Sequence, residues 1–191
     1  MKDDAIRSDV RGIRRLALYG VSAIAAAGVV ACSSVPVQGP IATASYVDLE
    51  RFMGDWYVIA SIPTFLEDDI YNAVESYELD EDGNIATTFT FRKGGFDGKQ
   101  KTYTPKGFVK DEQSNAVWGM RFLWPFKADY RVVFVDDNYE TTIIGRNKRD
   151  YVWIMARAPQ LDESTYAGLV ATVEKEGYDI SELRTVPQRW D

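Results

Sequence analysis

The stretch Met53–Ser61, MGDWYVIAS, decides the expected fold, because it reads as a buried strand with an unusual beginning. Glycine weakens the interior of a strand and commonly marks a bulge or a close approach of the backbone to another group. Tryptophan is a very large side chain whose indole N–H needs a partner when the ring is buried. Gly54 followed by Trp56 therefore predicts a strand that begins where the backbone lies close to another group and a large ring enters a specific pocket.

The residues after this stretch alternate between apolar and polar with a period of two, interrupted by turn sequences. One amphipathic helix is predicted from Glu163 to Glu176, after an Asp162 N-cap and before Gly177. Eight antiparallel strands with one late helix leave an all-β sandwich or a closed barrel. The many large aromatic residues on single strand faces favour a closed eight-stranded barrel over a sandwich. The predicted strands span residues 56–62, 73–79, 85–92, 101–110, 116–123, 130–135, 140–146 and 151–157, and residues 182–190 could add a ninth.

The composition limits the functions that this chain can perform. Its 191 residues are 46% hydrophobic and 13% aromatic, which suits one domain with a substantial core. The sequence has no histidine, which removes Ser-His and Cys-His catalysis and the commonest zinc and haem ligand. Its single cysteine excludes an intrachain disulfide, and the formal charge of −7 argues against nucleic acid as a partner. We expect no catalytic residue, no metal site and no cofactor.

The N-terminal residues are typical of a secretion signal. Arginines precede an uncharged apolar run from Leu16 to Ala31 that is shorter than the roughly 20 residues of a membrane-spanning helix. The run ends in the sequence Val-Val-Ala-Cys, which resembles the bacterial lipoprotein signal with Cys32 as the lipidated residue. A buried core thiol or an uncleaved anchor would be the alternative interpretations. Residues 1–31 are therefore predicted to be a lipoprotein signal peptide.

The resemblance to lipoproteins implies a location as well. Ser33, rather than an aspartate, after the cysteine implies sorting to the outer membrane, with the periplasmic side expected. Lipid chains on Cys32 would anchor the protein, since each buried methylene contributes about 0.8 kcal/mol. Residues 32–45 contain small residues, two prolines and no charge, and are predicted to form a lipidated tether to the domain of residues 46–191.

Three sequence blocks, in order, resemble the signatures of the lipocalin family. They are GDWYVIAS at residues 54–61, DDNYETTIIG at 136–145, and DYVWIMARAP at 150–159, which leads directly into the predicted helix. The chain is most similar to the bacterial outer-membrane lipocalins and more distantly to apolipoprotein D. The resemblance implies an all-β, eight-stranded antiparallel up-and-down barrel with the C-terminal helix packed outside. It also implies that Gly54 and Trp56 start the first barrel strand, and that Arg157 lies across the Trp56 indole at the closed end as a cation–π pair.

The resemblance also implies a function, which is to bind and store or carry a hydrophobic ligand for envelope maintenance. Fatty acids and lysophospholipids are the expected ligands, and the membrane is reached through the lipid anchor. A homodimer is possible, as in related bacterial lipocalins. By strand alternation, the ligand-binding residues in the lumen are predicted to be Val58, Ala60, Phe89, Phe91, Tyr103, Trp118, Met120, Phe122, Tyr130 and Phe134.

Two other functions remain open from the sequence. One is a lipocalin-fold enzyme acting on a lipid or isoprenoid, although the only cysteine lies outside the domain and no histidine can act as a base. The other is a filled barrel that serves as a structural surface lipoprotein. The sequence leaves open whether the loop at residues 63–71 gates the barrel, and Arg92, Lys93 or Lys127 could meet a ligand phosphate at the rim.

Overall fold

The computed structural model of the protein describes residues 39–64, 67–123 and 125–190. The predicted signal peptide and Cys32 lie outside the described residues. In the described part, a one-turn helix precedes nine strands, and a longer helix, a 3₁₀ turn at Ile180–Glu182 and a short last strand follow them. The elements are α1 (Leu49–Phe52), β1 (Gly54–Ile62), β2 (Ile70–Leu79), β3 (Ile85–Lys93), β4 (Lys99–Tyr103), β5 (Lys106–Val109), β6 (Val117–Leu123), β7 (Phe126–Val135), β8 (Thr141–Gly145), β9 (Val152–Ala156), α2 (Glu163–Lys175) and β10 (Arg184–Thr185).

The strands form a closed antiparallel meander, which confirms the predicted barrel. Successive strands pair with each other except at β4–β5 and β9–β10, and β1 pairs with β9 to close the sheet. Strands β4 and β5 both pair with β3 and act as one long strand that is interrupted at Thr104 and Pro105. Proline has no N–H to donate to a ladder, which is why the predicted continuous strand from 101 to 110 breaks there. Counted in this way, the barrel has eight strands.

The closed end of the barrel is built around Trp56, which is completely buried. Its indole Nε1 donates to the Phe52 carbonyl at 2.8 Å, and the Arg157 guanidinium lies 3.8 Å from the ring centre, as the resemblance implies. Arg157 also donates to five backbone carbonyls of the surrounding chain, at 2.8–3.2 Å. Gly54 has φ of +95°, and a Cβ there would lie 3.3 Å from Arg157 Nη1, so the motif needs glycine at this position.

Helix α2 packs on the outer wall of the barrel, as expected. Asp162 caps it by accepting from the Thr165 N–H, and Leu169 and Val173 are its buried residues. They form an outer core with the outward-facing residues of β1, β8 and β9, among them Ile143 and Ile154. Neither helix of the described residues has the length and hydropathy required to cross a membrane.

The segment before α1 lies against the barrel over part of the predicted tether. Ile41 is buried in the outer core, and its N–H donates to Asn147 Oδ1 at 3.1 Å. The Ala44 N–H donates to the Val132 carbonyl at 2.9 Å. The C-terminal part of the predicted tether therefore lies on the barrel, because an apolar side chain in this segment covers an apolar surface.

Near the open end, the C-terminal segment completes the barrel wall. Strands β1 and β2 pair only over Gly54–Tyr57, and beyond that point β1 pairs with β10 instead. The Gln188 side chain then donates both to the Val58 carbonyl of β1 and to the Ala73 carbonyl of β2, at 2.8 and 3.1 Å. The Gln188 side chain thus supplies hydrogen-bond donors to carbonyl groups of both strands where the strands no longer pair with each other.

Candidate functional site

Most of the predicted lumen residues do face the barrel interior. Phe89 and Phe91 are adjacent on β3 with ring centres 5.2 Å apart, and Phe91 stacks on Tyr103 of β4 at 5.9 Å. Seven of the ten predicted residues belong to the inner core or pack against it, namely Val58, Phe89, Phe91, Tyr103, Trp118, Met120 and Tyr130.

Three of the predicted lumen residues are placed elsewhere. Ala60 lies in the outer core under α2, and Phe134 packs against that same core. A register shift between Val58 and Ala60, and another between Val132 and Phe134, puts one extra residue into each strand. Such a β-bulge reverses the alternation, so that residues beyond it point to the opposite face.

Phe122 is the third exception, since it is 50% exposed and belongs to neither core. It lies at the open end of β6, where the pairing with β7 is also shifted. The structure therefore places Phe122 at the exposed end of its strand and not among the buried residues of the interior.

A polar cluster that strand alternation did not predict lies in the middle of the barrel. Glu75 of β2 is buried and is cross-strand from both Trp56 and Phe89. The Tyr77 hydroxyl donates to Glu75 Oε2, and the Tyr130 hydroxyl of β7 donates to the same oxygen at 3.1 Å. The two hydroxyl groups also contact each other. The cluster thus joins opposite walls of the barrel directly above the aromatic floor.

Burial gives this cluster unusual acid–base properties. Desolvation raises the pKa of Glu75 to about 7, the nearby Glu67 charge adds to this, and the two tyrosine hydrogen bonds oppose it. Burial likewise raises the pKa of Glu67, against hydrogen bonds from Thr64 and Trp153. The pKa values of Tyr77 and Tyr130 lie well above 10, because both are buried and face the Glu75 charge. Glu75 can therefore bind or release a proton near neutral pH.

A ladder of aromatic rings leads from this cluster to the open end. Trp118 and Tyr130 stack at 5.4 Å, Tyr130 and Trp153 stack at 6.2 Å, and Tyr151 lies 6.4 Å from Trp153. The Trp153 indole donates to Glu67 Oε2 at 3.0 Å. Glu67 belongs to the loop between β1 and β2, so this loop places a carboxyl group against the inner wall.

Among the described residues, two cavities lie at the edge of the barrel. One of about 260 Å³ lies at the open end between the β1–β2 loop and the C-terminal segment, and its lining includes Ser61, Glu67, Ile70, Arg184 and Val186. The other, about 300 Å³, lies between the segment before α1 and the β7–β8 turn, outside the inner core. The first is the more relevant to binding, because Glu67 connects it to the aromatic ladder.

The basic residues expected at the rim already have partners of their own. Arg92 donates to the Gly98 carbonyl at 3.1 Å, and Lys93 donates to the Asp68 carbonyl. The Lys127 ammonium lies 3.6 Å from the centre of the Phe108 ring, in a cation–π contact. In the described part of the chain, no group of three potential metal ligands comes together.

The sequence alone did not single out Glu67, Glu75, Tyr77 or Trp153. The segment AVESYEL, residues 73–79, carries polar and apolar residues on both faces, so its period does not reveal which face is buried. The only signal in the sequence was that Tyr77 lies on the same strand face as Glu75, two residues before it. Burial of that pair depends on the opposite strand, which supplies Tyr130.

Comparison with known proteins agrees with this architecture. Residues 47–188 match the lipocalin-like domain family. Temperature-induced lipocalin-1 of Arabidopsis thaliana is 37% identical over 151 residues, 74% of this chain and 80% of that protein. The outer membrane lipoprotein Blc of Citrobacter freundii is 29% identical over 169 residues, 88% of this chain and 95% of its own length.

Insecticyanin of the tobacco hornworm, Manduca sexta, shares the fold, with a TM-score of 0.61 at 14% identity over 81% of this chain and 86% of its own. The closed barrel, the outer helix and the Trp56–Arg157 floor agree with the sequence matches. The chain therefore belongs to the lipocalin family, in the branch of Blc and apolipoprotein D.

Proposed function

We propose that this lipocalin binds and carries a hydrophobic ligand, a fatty acid or a lysophospholipid, as an outer-membrane lipoprotein that serves envelope maintenance. The observation that supports the proposal best is the aromatic wall formed inside the barrel by Phe89, Phe91 and Tyr103. Binding sites for small molecules are mostly apolar, with few polar groups. The Glu75 cluster supplies polar groups to this interior.

In this proposal the ligand occupies the upper half of the barrel, because aromatic side chains fill the lower half. Phe52, Trp56, Tyr77 and Trp118 fill the lower half, with ring centres of contacting pairs 5.0–5.9 Å apart and all four side chains completely buried. Tyr103 and Trp153 are only partly buried. The filled-barrel alternative would require the same dense packing to continue up to the mouth.

A binding role also fits the chemistry of the cluster better than catalysis. Glu75 is a weak acid near neutral pH, but its hydrogen-bond partners are two tyrosines with raised pKa values. Such a group holds or releases a proton, and the cluster offers no activated nucleophile beside it. Turnover of a lipid ester by the purified protein would favour the enzyme alternative.

A matched pair of substitutions on β4 tests ligand binding. Tyr103→Gln places a polar amide on the apolar inner wall and is expected to weaken binding of palmitate or lysophosphatidylcholine about tenfold, since an unpaired buried amide costs about 1–3 kcal/mol. Thr102→Gln puts the same amide on the exposed outer face, and the affinity should stay within about twofold. Quenching of tryptophan fluorescence during lipid titration measures both constants.

Two results would contradict a carrier function. One is a natively purified protein that holds no lipid by mass spectrometry and shows no fluorescence change with either added lipid. The other is equal weakening by Tyr103→Gln and Thr102→Gln, which would place binding outside the barrel.

The membrane anchor is tested separately at the only cysteine of the chain. Cys32→Ala should move the protein from the membrane fraction to the soluble periplasmic fraction, because the diacylglycerol thioether cannot form without the sulfur. Ser34→Ala is the control and should leave the protein in the outer-membrane fraction. Immunoblotting of separated fractions is the measurement, and retention of Cys32→Ala in the membrane would disprove lipidation as the anchor. The similarity to the outer membrane lipoprotein Blc of Citrobacter freundii supports this proposal.

A further inference from the structure

The segment before α1 leaves the described part of the chain at the open end of the barrel. The Val47 N–H donates to the Ser114 carbonyl in the β5–β6 turn, at the closed end. The Gly39 carbonyl accepts a hydrogen bond from Arg149 Nη2 at 3.2 Å. Arg149 belongs to the β8–β9 turn, which lies at the open end because β9 finishes beside the start of β1. Followed backwards from Val47, the segment therefore rises along the barrel toward the mouth.

The covalent length of the remaining tether limits where a lipid anchor on Cys32 can lie. Gly39 is the seventh residue after Cys32, and seven residues span at most about 25 Å when fully extended. A strand of ten residues, such as β2, is about 33 Å long. The tether reaches a bilayer beside the mouth easily, but it would have to run back, fully extended, along most of the barrel to reach one beside the closed end. Its length therefore favours a membrane at the open end.

The next turn around the open end presents two exposed aromatic side chains. Phe122 of β6 and Phe126 of β7 flank the β6–β7 turn, and they are 50% and 77% exposed. Phe126 is the most exposed large hydrophobic side chain in the described part of the chain. Large apolar groups that are exposed together commonly mark a contact with a protein or a membrane. Phenyl rings are stabilised when they move from water to the boundary between head groups and acyl chains.

Cations without an acidic partner lie beside these rings. The Arg121 guanidinium and the Lys127 ammonium lie 4.8 and 3.6 Å from the centre of the Phe108 ring. Lys99 and Lys101 of β4 are exposed at the same end of the barrel. Among the described residues, none of these four basic side chains takes part in an ion pair. This basic surface, on a chain with a net charge of −7, is complementary to anionic phospholipid head groups.

The opposite side of the mouth carries the reverse charge. Asp68 and Asp69 are exposed there in the β1–β2 loop, and Arg184 lies 3.4 Å from Asp68. An anionic surface repels these aspartates and attracts the cations of the β6–β7 side. The distribution of charge therefore favours the side of the mouth that includes both the aromatic hairpin and the start of the tether.

We propose that the open end of the barrel faces the membrane that holds the lipid anchor, with Phe122 and Phe126 inserted into the bilayer and Arg121 and Lys127 bound to anionic phospholipid head groups. This inference rests on the proposed anchor and carrier function, and it specifies the surface through which the carrier meets its lipid source. In this orientation a lipid passes between the bilayer and the lumen without crossing bulk water.

The orientation is tested with the full lipidated protein in vesicles of phosphatidylethanolamine and phosphatidylglycerol. Asp97→Cys in the β3–β4 turn and Asp82→Cys in the β2–β3 turn place a nitrobenzoxadiazole label at opposite ends of the barrel, and both replace an exposed aspartate. Cys32 does not react with the label once its sulfur carries a lipid. Lipids that carry a spin label in the head group should quench the label at Asp97→Cys about threefold more strongly than the label at Asp82→Cys, because only a site at the bilayer surface meets them.

The hairpin contact is tested by removing its two rings. Phe122→Ser together with Phe126→Ser, in the labelled Asp97→Cys protein, should lower the quenching by about half or more, because the apolar contact with the bilayer is lost. Tyr46→Ser is the control, since Tyr46 is 57% exposed but lies near the closed end, and it should leave the quenching unchanged. Lys127→Gln, or phosphatidylcholine in place of phosphatidylglycerol, should also lower the quenching, because attraction to anionic head groups is lost.

The possible results separate this inference from the proposed function. Equal quenching at the two labelled ends, or stronger quenching at the closed end, would overturn the orientation. Unchanged quenching in the double serine variant would overturn the hairpin contact, and loss of a dimer from that variant in analytical ultracentrifugation would then make the hairpin a contact between two copies of the chain. A protein that does not stay with the vesicles would disprove the anchor and the orientation together. The carrier function is measured separately by the lipid titration of Tyr103→Gln and stands or falls with that result.

Discussion

Replacing Trp56 with alanine is expected to lower the free energy of unfolding by about 3–5 kcal/mol, the usual cost of truncating a large buried aromatic side chain. The substitution would remove a completely buried ring that packs 5.0 Å from Phe52. It would also leave the Phe52 carbonyl without the indole N–H, and Arg157 without the ring beneath it. Urea denaturation followed by circular dichroism measures the loss.

Trp190→Ala is the matched control for this prediction. Trp190 is 47% exposed and contacts the Tyr57 ring edge-on at 5.3 Å, so its removal should cost less than about 1 kcal/mol. A Trp56→Ala protein that kept its stability but lost lipid binding would show that this tryptophan is a ligand contact and not the floor of the barrel.

Glu75→Gln is expected to stabilise the protein at alkaline pH, by up to about 3 kcal/mol. The pKa of Glu75 is about 7 in the folded protein and 4.5 in the unfolded chain, so the folded state holds the proton more tightly. The wild-type protein therefore has its full stability below about pH 4.5 and loses stability as the pH rises through about 7. Each unit of pKa difference corresponds to about 1.4 kcal/mol, and glutamine avoids this loss because it cannot ionise.

Denaturation curves at pH 4.5 and pH 9 measure this effect as a difference between wild type and variant. The stability gap should be close to zero at pH 4.5 and largest at pH 9, with the change centred between these values. Glu78→Gln, on the exposed face of the same strand, should show a gap that does not vary with pH. An equal gap for Glu75→Gln at both pH values would mean that Glu75 is not buried as the structure has it.

The two stability predictions differ in how far the sequence could have anticipated them. The Trp56 floor follows from a motif, since Gly54, Trp56 and Arg157 lie in blocks that resemble family signatures. The Glu75 cluster has no such motif, because it joins Tyr77 on one strand to Tyr130, 53 residues later, across the barrel. Its burial follows from barrel closure, a non-local event.

The errors in the predicted lumen also have a specific cause. Alternation assigns a face correctly as long as each strand keeps its period, as β3 does with Phe89 and Phe91. A bulge adds one residue, and every position beyond it changes face, which is how Ala60 comes to lie in the outer core and Phe134 to pack against it. The sequence MGDWYVIAS carries no local mark of the bulge before Ala60, since Val, Ile and Ala fit either face.

By itself, the sequence determined the number and order of the barrel strands and the position of the helix, while its resemblance to family signatures implied the residues of the closed end. Local periodicity, turn residues and caps depend on neighbours in the chain, so they can be read from it. Only the tertiary structure decided which residues line the upper barrel, that Ile41 packs on its outer wall, and that Glu67 and Glu75 accept hydrogen bonds from two stacked rings. Those features arise where distant segments pack together, because desolvation and strand register depend on the closed barrel and not on any single strand.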